Sequence, residues 1–271
     1  MTEKQWFQSP KGYVAMTLTA YLVIASLGSH SAAGIMNGLF AVAAALVVDY
    51  LCSWAEKRKR IVLDGAVITG LIISLVLSST ASWLILSATT VMAVLSKHLL
   101  VNKKKPVLNP AALGLLLAIP LFHAGQSWWG AFGDLPVWTI LFLLIGGYMI
   151  TNRVQKYPQI FAFFAVFFLL LLVMGLLHIG DASDALRPPF INATLFFGFF
   201  MLTDPPTSPA KVKDQIVFGI VTAVTGAVVY AIFGGLTYLF IGLLAGNMYH
   251  WLNARLPLQV SKKNQAGVPG Q

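Results

Sequence analysis

With 271 residues, 58% of them hydrophobic and only 10% charged, the chain has too little polar surface to clothe a water-soluble domain. Unbroken apolar runs such as Ile160 to Leu177 exclude a transmembrane barrel, whose strands alternate. One cysteine, Cys52, excludes an internal disulfide, and no Walker A, CxxC, HExxH or strand-to-helix GxGxxG pattern supplies ATP hydrolysis, metal or dinucleotide chemistry.

Segments of about 20 apolar residues, with shorter ones admitted where Gly or Pro interrupts, predict ten spans. They run over 12–28, 32–54, 64–79, 81–98, 109–123, 136–151, 158–178, 189–203, 214–232 and 235–252. The first could pass for a signal peptide, but removing it would spoil the repeat described below. The fold class is therefore an all-α polytopic membrane protein. Charge tests the count. Placing the N-terminus in the cytoplasm puts Lys4, Lys11, Lys57, Arg58, Lys59, Arg60, Lys97, Lys103, Lys104, Lys105, Arg153, Lys156, Lys211, Lys213, Arg255, Lys262 and Lys263 inside and leaves only Arg187 outside. That bias is the positive-inside rule, so the net charge of +9 reflects a cytoplasmic face meeting anionic lipid and needs no nucleic acid. Trp6, Trp54 and Trp251 are expected at the inner boundary and Trp83, Trp128, Trp129 and Trp138 at the outer one, as an aromatic belt.

Ten spans divide into two sets of five, and an odd number per set requires the second to be inverted. The predicted layout is a cytoplasmic segment 1–11, a first repeat 12–123, an outer loop 124–135, a second repeat 136–253 and a cytoplasmic tail 254–271. The third and eighth spans correspond as short segments with polar breaks: Asp64-Gly65 opens one, and Asn192 and Thr203-Asp204-Pro205 bracket the other. The fifth opens with Asn109-Pro110, and the tenth opens with Gly234-Gly235 and closes with Gly246-Asn247. Interrupted helices in inverted repeats place a ligand or ion path between the halves.

The candidate path residues are therefore Asp64, Asn109, Pro110, Asn192, Thr203, Asp204 and Asn247. Each has a plainer reading. Asn109-Pro110 is how a capped helix begins, and Thr203 to Pro209 is also a helix stop followed by a capped restart. Asn192, Asn247 and His250 can serve helix-to-helix hydrogen bonds. Asp49 reads as an interfacial or lysine-paired acid rather than a proton carrier.

Four blocks carry a family resemblance: Gly38 to Leu46, Asp64-Gly65-Ala66-Val67-Ile68-Thr69-Gly70-Leu71, Leu108-Asn109-Pro110-Ala111-Ala112, and Phe200-Met201-Leu202-Thr203-Asp204-Pro205 with Thr207-Ser208-Pro209. The chain resembles the RnfD/NqrB family, membrane subunits of the Rnf electron transport complex and of the sodium-pumping NADH:quinone reductase. The resemblance implies ten helices in two inverted halves, a cell-membrane location with both termini cytoplasmic, and electron transport coupled to ion movement. It implies partners among other membrane electron-transport subunits or a second copy of the chain, and at most a translocase or electron-transport subunit rather than a stand-alone catalyst. Flavin-bearing members esterify FMN to the threonine of a Ser/Thr-Gly-Ala-Thr motif in the outer loop. Here that loop, His123 to Leu135, contains no threonine, and Leu86-Ser87-Ala88-Thr89 lies inside a span and lacks the glycine. Covalent FMN is not expected. Two readings stay open: an electron-transport subunit with non-covalent riboflavin or FMN near Asn109 and Asp204, or a stand-alone small-solute, ion or flavin transporter on the same scaffold.

Overall fold

The structure is a computed structural model that describes residues 6–59, 61–102 and 105–266, with side chains as far as 255. Of the inner basic set, Lys4, Arg60, Lys103 and Lys104 lie outside the described residues, and for Lys262 and Lys263 the backbone alone is described.

Among the described residues there are ten α-helices: α1 Pro10–Gly28, α2 Ala33–Ala55, α3 Asp64–Val76, α4 Trp83–Leu99, α5 Pro110–Phe122, α6 Ile140–Val154, α7 Tyr157–Leu176, α8 Phe190–Phe196, α9 Val212–Phe233 and α10 Thr237–Ala266. A π-turn, Phe197–Met201, continues α8. A small hairpin, β1 Val101–Asn102 with β2 Lys105–Pro106, follows α4. Five helical segments are long and apolar enough to cross a membrane: α1, α2, α7, α9, and α6 with the 3₁₀ turn before it, Val137–Val154. The chain is an all-α polytopic membrane protein. The helices α3 and α5 have 13 residues each, a length of about 20 Å against a hydrocarbon core of about 30 Å. Irregular backbone must complete those crossings, and it survives at that depth only where protein or a cavity covers it.

The connecting segments sort into two ends. At one, Arg153 donates to the Gln8 carbonyl, Lys156 donates to the Pro209 carbonyl, and Arg58 approaches His98. At the other, Asn37 donates to the Ser79 carbonyl, Leu77 pairs with Gln126, and Tyr230 donates to the Asp181 carbonyl. Helix α1 starts at the first end and finishes beside Leu135; α6 starts there and returns to Gln8, so equivalent helices of the two halves run in opposite directions. Packing repeats likewise. Helix α3 packs on α1 as α8 packs on α6; α4 packs on α2 as α9 packs on α7; α5 packs on α4 as α10 packs on α9. The halves join through α1 against α6 and α5 against α10.

Two expectations are corrected. Trp128 and Trp129 are not in a lipid belt: both are buried, because the outer loop folds inward to cover the end of α3. The Trp129 indole donates to the Ser74 carbonyl at 2.8 Å, and Trp128 stacks on Phe240 at 5.4 Å. Trp54, Trp83 and Trp138 are exposed, as a belt requires. Second, α10 does not close at Gly246-Asn247 but runs through it, because Gly246 lies against Thr222 and Phe218 of α9 as a packing contact.

Close helix contact rests on missing side chains. At Gly114 of α5 a Cβ would lie 2.6 Å from the Ala93 Cβ, and at Gly242 of α10 it would lie 2.7 Å from the Thr222 carbonyl oxygen, a backbone atom that cannot step aside. Gly242→Leu should therefore cost about 1–3 kcal/mol through overpacking. It should lower the thermal unfolding midpoint in detergent, while Gly125→Leu, with open space around it, should not. Equal midpoints for the two variants would contradict the α9–α10 contact.

Candidate functional site

At the basic end, the start of α3, the start of α5 and the end of α8 surround a cavity of about 470 Å3. Asn109, Pro110, Thr203 and Asp204 all line it, so two sequence breaks from opposite halves meet in one place.

Local chemistry explains each edge. Asn109 is extended, with φ −64° and ψ 118°, and its Oδ1 accepts from the Ala112 N–H at 3.0 Å. Pro110 takes the first helical position, where no N–H is needed. The capping reading of Asn109 thus holds beside its place on the cavity wall. Its own N–H donates to Asn247 Oδ1 at 2.8 Å, and Asn247 Nδ2 donates to the Thr207 carbonyl at 3.1 Å. The π-turn at the end of α8 sets Phe200 on the wall, and the Met201 carbonyl accepts from Asn109 Nδ2 at 3.4 Å. Such turns recur where a helix is shaped for function. Asp204 holds a tight turn: its Oδ2 accepts from the Thr207 hydroxyl at 2.8 Å and its carbonyl from the Ser208 hydroxyl at 2.7 Å. The expected capped restart is absent, because α9 begins after Lys211 with no side-chain cap.

Three candidates sit elsewhere. Asn247 is fully buried behind the wall as the link between Asn109 and Thr207. Asp64 accepts from the Trp6 indole at 2.9 Å and ties the N-terminal segment to α3, and its neighbour Gly65 is the residue on the wall. Asn192 lies at the other end, donating to the Ala131 carbonyl at 3.0 Å, so it braces the inward-folded loop. His250 packs edge-on against Phe218.

Residues 10–135 and 121–249 match the sequence profile of the NQR2, RnfD, RnfE family. The chain belongs to that family. A curated relative, a component of the ion-translocating oxidoreductase complex of Sodalis glossinidius (strain morsitans), is 34% identical over 122 residues, which covers 42% of this chain and 32% of that protein. The chain therefore matches about a third of the relative's length.

Of two charged groups in this family member, one is as the sequence reads it and one is not. Asp49 is indeed lysine-paired: its Oδ1 accepts from Lys97 at 2.7 Å, and His98 Nε2 lies 2.6 Å from the same oxygen. Lys156 reads from sequence as one more inner-face cation, yet it is buried with its ammonium on the Pro209 carbonyl. Burial pushes its pKa down to about 8, and the Asp204 carboxylate opposes that shift. No local pattern marks either pairing, since both join residues far apart in sequence.

The sign of the Lys156 shift yields a test. A lysine whose native pKa is depressed weakens folding while it is charged, and the Asp204 attraction offsets part of that only below about pH 8. Asp204→Asn keeps the turn, since Asn serves such positions as Asp does, but removes the attraction. Its unfolding midpoint at pH 7 combines two opposed changes, loss of the attraction and relief of the buried Asp204 charge, so the test is the pH dependence: the variant should gain on the natural chain between pH 7 and pH 9, as Lys156 becomes neutral. A gap that does not change with pH would contradict the Asp204–Lys156 coupling.

Proposed function

We propose that this family member is an integral membrane subunit of an electron-transport assembly coupled to ion translocation, with non-covalent riboflavin or FMN in the cavity bordered by Asn109 and Asp204. In this reading the basic end faces the cytoplasm, both termini lie there, and other membrane subunits dock against the lipid-facing helices.

The observation that carries the proposal is the convergence of Asn109-Pro110 and Thr203-Asp204 on one cavity in a chain of this family. The residues present fit a flavin. The volume lies within the range of about 300–1,000 Å3 common for small-molecule sites, Val14, Ile68, Ile72 and Phe200 give apolar walls, and Asn109 and Thr203 add polar groups. A flavin held there would supply reversible electron acceptance and release. The chain's own part is to seat the ring against the apolar wall, to offer it the loosely held Asn109 amide, and to keep the Asp204 carboxylate on the wall.

The outer loop offers no threonine for attachment, and its tryptophans Trp128 and Trp129 are committed to packing. Thr89 is fully buried and donates to the Ile85 carbonyl at 2.8 Å, so it offers no exposed hydroxyl for esterification. The same threonine-free loop favours the second reading, a stand-alone transporter that has shed redox chemistry.

Colour separates the two. Protein purified in mild detergent should show flavin absorbance, all of which should pass into the filtrate after denaturation, and a denaturing gel should show no fluorescent band. Colourless protein would favour the transporter, and a fluorescent band lost on Thr89→Ala would overturn the non-covalent assignment.

A further inference from the structure

We propose that the cavity takes an amphipathic anion, with a flat apolar body inside and a phosphate group at the mouth held by Lys11 and Lys105; this rests on the reading that the cavity is the ligand site. Four cations from four separate elements line it: Lys11 from the first turn of α1, Arg58 from the α2–α3 link, Lys97 from the last turn of α4 and Lys105 from β2. Among the described residues the wall carries one carboxylate, Asp204.

Two of the cations are already matched. Lys97 is paired with Asp49 at 2.7 Å and Arg58 with Glu56 at 2.5 Å. Lys11 and Lys105 have no ion pair among the described residues. The positive-inside bias accounts for lysines at this end of the molecule, but it does not place them on a cavity whose described lining holds a single acid. Like charges gathered beside apolar walls repel one another more strongly than in open water, and a bound anion relieves that. The charge lies at the mouth, whereas Ile68, Ile72 and Phe200 supply apolar surface. A neutral ligand would leave Lys11 and Lys105, which have no ion pair among the described residues, with only the longer-range attraction of Asp204, and a cationic one would be repelled.

The phosphate could belong to a soluble phosphate ester or to a lipid headgroup, and the experiment separates these sources. Natural chain and the double variant Lys11→Gln with Lys105→Gln are reconstituted in phosphatidylcholine nanodiscs and titrated with FMN and riboflavin by flavin fluorescence quenching, at low and high salt. Native mass spectrometry follows retention of a short-chain phosphatidate against phosphatidylcholine. A soluble phosphate ester predicts that FMN binds about tenfold tighter than riboflavin at low salt, as two charge-assisted contacts would give. High salt should erase that preference, and so should the double variant, with riboflavin affinity kept. The salt dependence of the natural chain carries the test even if the variant folds poorly. If neither flavin binds but phosphatidate is retained and then lost in high salt and in the double variant, the flavin reading fails and the anion site stands with lipid as its source. Equal affinities for FMN and riboflavin, together with no preference for phosphatidate, would overturn the proposal while leaving a neutral flavin possible in the cavity.

Discussion

The side-chain amide of Asn247 is the contact on which the site depends. A helix that starts inside a membrane protein leaves N–H groups open, and a helix that stops there leaves carbonyls open; with no water to take them, each must find a partner. Asn247 answers one of each, accepting from the Asn109 N–H and donating to the Thr207 carbonyl. An amide can do both at once, whereas a carboxylate could only accept. Leaving either buried group unpaired would cost about 1–3 kcal/mol, so a leucine at 247 would forfeit two bonds and loosen the cavity wall.

Around that amide, the two halves behave as one packing scheme used twice. The half-length helices cannot cross a bilayer alone, and their partners make up the difference with irregular backbone: the inward-folded loop with Trp128 and Trp129 beyond α3 and α5, and the Asp204 turn beyond α8. Each segment is tolerated because neighbouring elements cover its polar groups. The cost of breaking helices is thus concentrated at two places, and one of them holds the cavity where cations from four elements face the one carboxylate among its described lining residues.

Much of this is legible in the sequence. Apolar runs locate ten helices, lysines and arginines sort their connections into two ends, and proline beside Asn109 and Asp204 marks where helices break. Local pattern does not say what those breaks touch. Asn109 and Asn247 are 138 residues apart, and nothing near either one announces the pairing. Tryptophan is ambiguous by nature, since a large ring with one N–H suits a lipid interface or a packed loop equally; Trp129 takes the Ser74 carbonyl. Gly246-Asn247 looks like a helix end because glycine often ends helices, but here the missing side chain serves close packing against α9. Lys156 is hidden by the very rule that orders the other cations.

Site-specific thiol labelling tests the central claim, that the two halves enclose a cavity open at the basic end. In a Cys52→Ser background, Ile68→Cys places a thiol on the cavity wall within α3, while Ala66→Cys places one at a fully buried position that does not line it. A membrane-impermeant maleimide applied to inverted membrane vesicles should label Ile68→Cys and not Ala66→Cys, and labelling of intact cells should mark neither. Labelling of both positions alike, or no labelling of Ile68→Cys from either side in vesicles washed free of bound flavin, would contradict the cavity and the joined halves that form it, and labelling of Ile68→Cys from the outside would contradict the proposed orientation.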